Sequence, residues 1–280
     1  MTRLAPIAVL GVAMVLLVGC GDDGGPGSSS TSVSSITGAP STTTAPTTTE
    51  AARPRALPGG GLEVLVVGDS VMFDASAAIQ AALGATGAAT VRPEAAFGLG
   101  FSDGAAIPFV DAAGDILAGE PVEQVVVMVG SWDHLTAQRD PEAYTAMVHD
   151  ALTTLAADGR SVLVLGEPPS DPAKGEEPAR AAVNETLEAE ATAIGGVTYL
   201  PTDTVIGDAD GDYVLRQGDQ LLRKPDGRHL CPAGAERFGV AVLTALGDGW
   251  NLPAADPTWV DGGWRAEPRY DDPPGACGAG

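Results

Sequence analysis

The chain has 280 residues, with 15 Lys+Arg against 37 Asp+Glu and a formal charge of −22 at pH 7. That field opposes nucleic acid or anionic lipid as a partner. With the first sixty or so residues set aside, about 220 remain, enough for one well-buried domain with an irregular tail.

Met1-Thr2-Arg3 supplies a positive charge, and Leu4 to Val18 follow as an apolar run without charge. The run is shorter than the roughly 20 residues that span a bilayer as a helix. It ends in Leu17-Val18-Gly19-Cys20, a small residue before the break, as in a cleaved secretory signal. The Cys at the break resembles the bacterial lipobox, which implies a signal peptide over 1–19 and lipidation of Cys20 at the outer face of a cell membrane. From Gly21 to about Gly60 the chain is Gly, Ser, Thr, Ala and Pro with hardly an apolar side chain. Such a composition reads as a flexible tether over 20–60, with a mean reach of roughly 35 Å. Of the three Cys, Cys231 and Cys277 remain. An even remainder in an oxidising compartment suggests a disulfide between them.

Leu62-Glu63-Val64-Leu65-Val66-Val67 opens the folded part as a buried strand ending at Gly68. A helix is predicted over Asp74–Leu83, and strands over Ala89–Arg92, Gln124–Val129, Val162–Leu165 and Val197–Leu200. Helices fit at Pro141–Ala157, Pro178–Ile194 and Ala233–Leu246. This alternation predicts a parallel sheet of about five strands covered on both faces by helices. Tyr213–Arg216 and Gln220–Arg223, around Gln217-Gly218-Asp219, read as a small hairpin. The domain is drawn over 61–247. The tail over 248–280 holds Trp250, Trp259, Trp264 and Tyr270 without period, and its rings are expected to anchor it to the domain.

Ester chemistry through a serine needs a base for the hydroxyl proton and donors for the oxyanion. In a parallel sheet those groups gather beyond the C-terminal strand ends. Gly68-Asp69-Ser70 stands there, between the first strand and the first helix. A plain N-cap is the competing reading, because Asp and Ser are both good caps. Asp226-Gly227-Arg228-His229 precedes the last helix, and its spacing places acid and His on one turn. There the Asp226 carboxylate is expected to hold Nδ1–H of His229 while Nε2 faces the serine. Of the other two His, His149 lies beside the apolar stripe of a predicted helix and reads as structural, and His134 is a weaker candidate.

Gly68-Asp69-Ser70 and Asp226-x-x-His229, in this order, resemble the first and last blocks of the SGNH (GDSL-like) hydrolase superfamily. Gly68-Asp69-Ser70-Val71-Met72 and Asp226-Gly227-Arg228-His229-Leu230 are also similar to SGNH domains of bacterial cell-wall O-acetyltransferases and esterases. The resemblance covers about Leu62 to Leu246 and implies a flavodoxin-like three-layer α/β/α fold. It implies a catalytic triad of Ser70, Asp226 and His229, with oxyanion donors at the N–H groups of Ser70 and Gly98. Where the family's third block, Gly-x-Asn-Asp, places an Asn donor, this chain has Gly130-Ser131-Trp132-Asp133. Trp132 offers an indole N–H, a poor geometric stand-in for an amide, and Asp133 is expected to shape its loop.

No cofactor and no metal are expected. Asp208-Ala209-Asp210-Gly211-Asp212 lacks the bidentate Glu that an EF-hand places at loop position 12. The expected activity is hydrolysis of a small acyl ester, acetyl first, on an acylated cell-envelope glycan or lipid, by a monomer. An O-acyltransferase to a sugar hydroxyl, and a non-catalytic glycan-binding lipoprotein, stand as alternatives.

Overall fold

A computed structural model describes residues 54–278. Cys20, the signal sequence and the tether up to residue 53 lie outside the described residues.

In chain order the first elements are β1 (Leu62–Gly68), α1 (Ser70–Gly84) and β2 (Ala89–Ala95). Two short strands follow, β3 (Leu99–Gly100) and β4 (Ile107–Pro108), then α2 (Phe109–Ile116), β5 (Gln124–Met128) and α3 (His134–Arg139). Next come α4 (Pro141–Ala156), β6 (Ser161–Leu165), α5 (Glu177–Ala193), β7 (Val197–Leu200) and α6 (Asp203–Ile206). The hairpin strands β8 (Arg216–Gln217) and β9 (Gln220–Leu221) and the helix α7 (Pro232–Gly249) complete the regular structure. The main sheet has the order β2-β1-β5-β6-β7, and every pairing in it is parallel. This is the flavodoxin-like order, with a topological switch point beside β1.

The sheet separates two cores because successive side chains of a strand face opposite ways. From β1, Leu62, Val64 and Val66 face the layer of α1 and α7, among Met72, Ile79, Phe238 and Val242. Leu65 and Val67 face the layer of α4 and α5, among Tyr144, Val148, Leu152, Val183 and Leu187. A strand buried on both sides loses its polar alternation, which is why β1 reads as a continuous apolar run. β2 sits at the sheet edge and pairs only with β1, so it accommodates Pro93, which has no N–H for a second neighbour.

The predicted strands and long helices are present, with three differences. α1 starts at Ser70 rather than Asp74, because Asp69 caps it by accepting a hydrogen bond from Val71 N–H. The hairpin strands are two residues each, since Gly218 and Asp219 turn the chain directly between Gln217 and Gln220. The short β3, β4, α3 and α6 span too few residues to show a period, whereas α2 carries one that went unread, with Phe109, Ala112, Ala113 and Ile116 on its core face. Among the described residues no helix is long and apolar enough to cross a membrane.

Both flanks of the sheet domain are tied to it. Arg55 N–H donates to Gly249 O at 3.0 Å, and its guanidinium lies 3.9 Å from the Trp250 ring centroid. Leu57 packs against the same core. The tail forms three 3₁₀ turns, at Pro257–Asp261, Gly263–Ala266 and Pro268–Asp271. Trp250, Trp264 and Tyr270 are buried, and Trp250 Nε1–H donates to the buried Gln124 side chain at 2.9 Å. Trp264 packs between Trp259 and Tyr270, with ring centroids 6.2 and 6.0 Å away.

The Cys231–Cys277 disulfide is present, with its Cα atoms 5.4 Å apart, and it staples the end of the tail to the start of α7. Closing a loop of this size constrains the unfolded chain, so replacing both Cys with Ser should lower the unfolding free energy by about 2–4 kcal/mol. Denaturant melts of the two proteins measure this. Equal midpoints would mean that the aromatic anchors alone hold the tail.

Candidate active site

The site forms where β1 stops. Gly68 pairs with Met128 of β5, and a Cβ on it would come within 2.3 Å of Met128 O and of Met72 Cβ. Only a residue without a side chain lets β1 run that close to β5 and turn at once into α1. Asp69 then caps the helix and Ser70 occupies its first turn, where backbone N–H groups have no intrahelical acceptor. Burial pushes the Asp69 carboxyl up to about 6, against the opposing hydrogen bond from Val71 N–H.

The turn carrying Asp226 and His229 lies between β9 and α7. Asp226 Oδ1 accepts from the N–H of Arg228 at 2.9 Å and of His229 at 3.0 Å, so the acid organises its own turn. Its Oδ2 lies 2.7 Å from His229 Nδ1, and His229 Nε2 lies 2.8 Å from Ser70 Oγ. With Nδ1–H donating to Asp226, Nε2 is free to accept the hydroxyl hydrogen. Partial burial works against the charge of Asp226. The hydrogen bonds from the His229 side chain, Arg228 N–H and His229 N–H outweigh it, and the carboxyl titrates well below its usual range. Residues 156 positions apart in sequence thus form one relay at a half-buried surface.

Gly98 follows β2 in a turn with φ +98°, a conformation that L side chains rarely adopt. A Cβ there would also meet Ala106 Cβ at 2.8 Å. Among the described residues neither Ser70 N–H nor Gly98 N–H donates to another protein group. Asp133 is fully buried and accepts from Phe101 N–H at 3.0 Å and Ser102 N–H at 2.9 Å. It therefore shapes its loop and ties the segment after β5 to the segment that carries Gly98. Trp132, beside it, is exposed at 46 %, in the position of the expected Asn.

Glu167, after β6, is the participant that the sequence reading passed over. Its buried carboxylate is 2.7 Å from His134 Nε2 and accepts from Ser131 Oγ at 3.2 Å. It thus holds the loop of Trp132 from below. Gly166-Glu167-Pro168-Pro169 at a strand end was the available signal, a lone acid at the C-terminal edge of a parallel sheet. His134 is engaged there and makes no contact with Ser70, while His149 joins α4 to Glu190 of α5 at 2.8 Å. Asp208 accepts from the N–H groups of Asp210 and Asp212, making an exposed self-capped turn. Among the described residues no group of three or more His, Cys, Asp and Glu is arranged to hold a metal ion. A cavity of about 980 Å³ opens between the hairpin and the tail beside Arg216, Arg265 and Cys277, and no triad residue lines it.

The raised Asp69 pKa has a defined sign. The unfolded carboxyl, near 3.8, releases its proton before the folded one does, so the charge disfavours the fold as pH rises through about 6. Asp69→Asn keeps a capping oxygen without the charge. Its stability relative to the natural protein should be higher at pH 8, with the difference disappearing towards pH 4. Urea unfolding at the two pH values measures it, and a pH-independent difference contradicts the assignment.

Among curated proteins none matches this sequence. Solved structures share the fold. One is a protein classed with the lipolytic G-D-S-L family from Desulfitobacterium hafniense DCB-2, with a TM-score of 0.54 at 16% identity, covering 66% of this chain and 99% of that one. A catalytic mutant of an acetylxylan esterase from Geobacillus stearothermophilus gives 0.53 at 13% identity, covering 68% and 96%. A member of the lipolytic protein G-D-S-L family from Veillonella parvula DSM 2008 gives 0.51 at 17%, covering 66% and 97%. The parallel sheet with helices on both faces is thus the SGNH hydrolase fold. A family model matches residues 63–245, more than half of the chain, and the protein belongs to that family, described as "Protein of unknown function (DUF459)".

Proposed function

We propose that the protein is an exported, lipid-anchored serine esterase that removes a small acyl group, acetyl first, from a cell-envelope glycan or lipid. The observation that carries this reading is the unbroken relay of 2.8 Å from Ser70 to His229 and 2.7 Å from His229 to Asp226. Ser70 Oγ attacks the ester carbonyl carbon as its proton moves to His229 Nε2. Asp226 holds the imidazole in the required tautomer and stabilises the imidazolium. The N–H groups of Ser70 and Gly98, which have no protein acceptor among the described residues, receive the oxyanion. His229 then protonates the departing alcohol oxygen, and the C–O bond breaks to leave acyl-Ser70. Water, deprotonated by His229, attacks that ester and frees the acid and the serine. The signal-like segment, Cys20 and the tether would hold the domain outside the membrane, within reach of wall polymers. An acetylxylan esterase among the proteins of similar fold is in keeping with an acetylated glycan as substrate.

Turnover of a chromogenic acetyl ester by the purified protein tests the reading. Ser70→Ala or His229→Ala should reduce kcat by roughly 10⁴–10⁶-fold, and Asp226→Asn by about 10⁴-fold. No turnover above the Ser70→Ala background, from folded protein, would refute the esterase. Trp132→Phe keeps the ring and removes the N–H. If the two backbone donors suffice, kcat should change by less than about tenfold, whereas a loss of about 10²–10³ would place the indole in the oxyanion hole.

A further inference from the structure

Asp74 lies one helical turn beyond Ser70 on α1, so both side chains leave the same face of the helix. It is buried, and neither the nucleophile nor the relay uses its carboxylate. Its Oδ2 accepts from the N–H of Leu230, the residue directly after His229, at 2.9 Å. Its Oδ1 and Oδ2 lie 3.3 and 3.2 Å from Nζ of Lys224, which is also buried. The main-chain N–H of Lys224 donates to His229 O at 2.8 Å, so the ammonium-bearing residue is also the main-chain neighbour of His229. The turn of His229 is therefore held through Leu230 N–H by the carboxylate of a buried ion pair, and that carboxylate stands on the helix of Ser70.

The tail closes the same corner. Lys224 Nζ donates to Arg269 O at 2.9 Å, and Tyr270 O–H donates to Asp74 O at 2.8 Å. Arg269 donates to Ser76 Oγ at 3.0 Å and also binds Phe73 O. Two residues after His229, Cys231 carries the disulfide to Cys277.

We infer that Asp74 and Lys224 are positioning residues, a buried clamp that sets the distance between the helix bearing Ser70 and the turn bearing His229, with the C-terminal tail strapped across it. A buried ion pair is a poor way to gain stability, since desolvation consumes most of the attraction. Its value lies in direction: the carboxylate fixes one N–H and one ammonium at once, and the catalytic distance follows from both. The inference rests on the serine relay of the proposed function, but it concerns geometry that exists whether or not an ester is cleaved.

The test compares Asp74→Asn, Asp74→Ala and Lys224→Met in the full chain, by two measurements. With the chromogenic acetyl ester, Asp74→Ala should lower kcat by about 10–10²-fold with KM within about twofold, because a displaced base costs rate and not binding. Asp74→Asn retains an oxygen for Leu230 N–H and should recover much of that loss. The second measurement is the low-field proton resonance of the His229 Nδ1–H hydrogen bond, identified by its absence in His229→Ala. It should broaden or move in Asp74→Ala and Lys224→Met, and stay closer to the natural protein in Asp74→Asn. Folded variants with the natural kcat and resonance would overturn the clamp, even with lower melting temperatures. If the natural protein proves inactive, the esterase reading fails and the resonance alone decides the clamp.

Discussion

The close approach of β1 to β5 at Gly68 is the constraint on which the site depends. There the strand must end, pass Met128 without a side chain, and enter a helix at the next residue but one. A parallel sheet places the start of the following helix at its C-terminal edge, and the hydrogen bond from Val71 N–H to Asp69 fixes where the helix begins. Ser70 therefore has no freedom of location: sheet register sets its height and the cap sets its rotation about the helix. The N–H groups of the first helical turn, without intrahelical acceptors, then surround the hydroxyl as a consequence of the same geometry.

A second set of buried polar groups arranges everything else around that point. Asp133 gathers the N–H groups of Phe101 and Ser102, so the loops after β3 and β5 are tied to each other. Glu167 supports the β5 loop through Ser131 and His134. Asp74 reaches Leu230 and Lys224. Each of these three carboxylates is almost wholly buried, and each spends its hydrogen bonds on a segment that carries or borders Gly98, Trp132 or His229. Burying charge is costly unless it is paired or hydrogen-bonded, and such networks specify one arrangement in preference to its neighbours. The apolar cores make the sheet stable, while the acids decide how its loops stand relative to one another.

The C-terminal tail belongs to this second set. Its Trp and Tyr rings supply apolar anchorage, and its disulfide limits how far the end can stray. What brings it to the site is polar: Arg269 and Tyr270 bind backbone oxygens of α1 within the two turns after Ser70. Both donors are side-chain groups, so they reach α1 without drawing on the tail's own main-chain hydrogen bonds.

The main sheet, its long helices and the Ser70, Asp226 and His229 relay were legible in the amino-acid sequence, because each rests on local information. Buried parallel strands announce themselves as β-branched runs, long helices by their period, and an acid and a His three residues apart by a single turn. The Cys231–Cys277 pairing needed only elimination and a compartment. Asp74, Glu167 and Lys224 were not legible: each is one charged residue in a stretch where solvent exposure is the ordinary expectation. Their partners lie 150 or more positions away for Asp74, and 33 to 36 away for Glu167 in its contacts with His134 and Ser131. The start of α1 was misplaced because only the folded turn shows Asp69 accepting from Val71. Sequence thus determined which residues could meet in the Ser70, His229 and Asp226 relay, since their types and spacing are properties of the chain. Tertiary structure alone decided which charges are buried and what they hold, because burial is a property of packing between segments far apart along it.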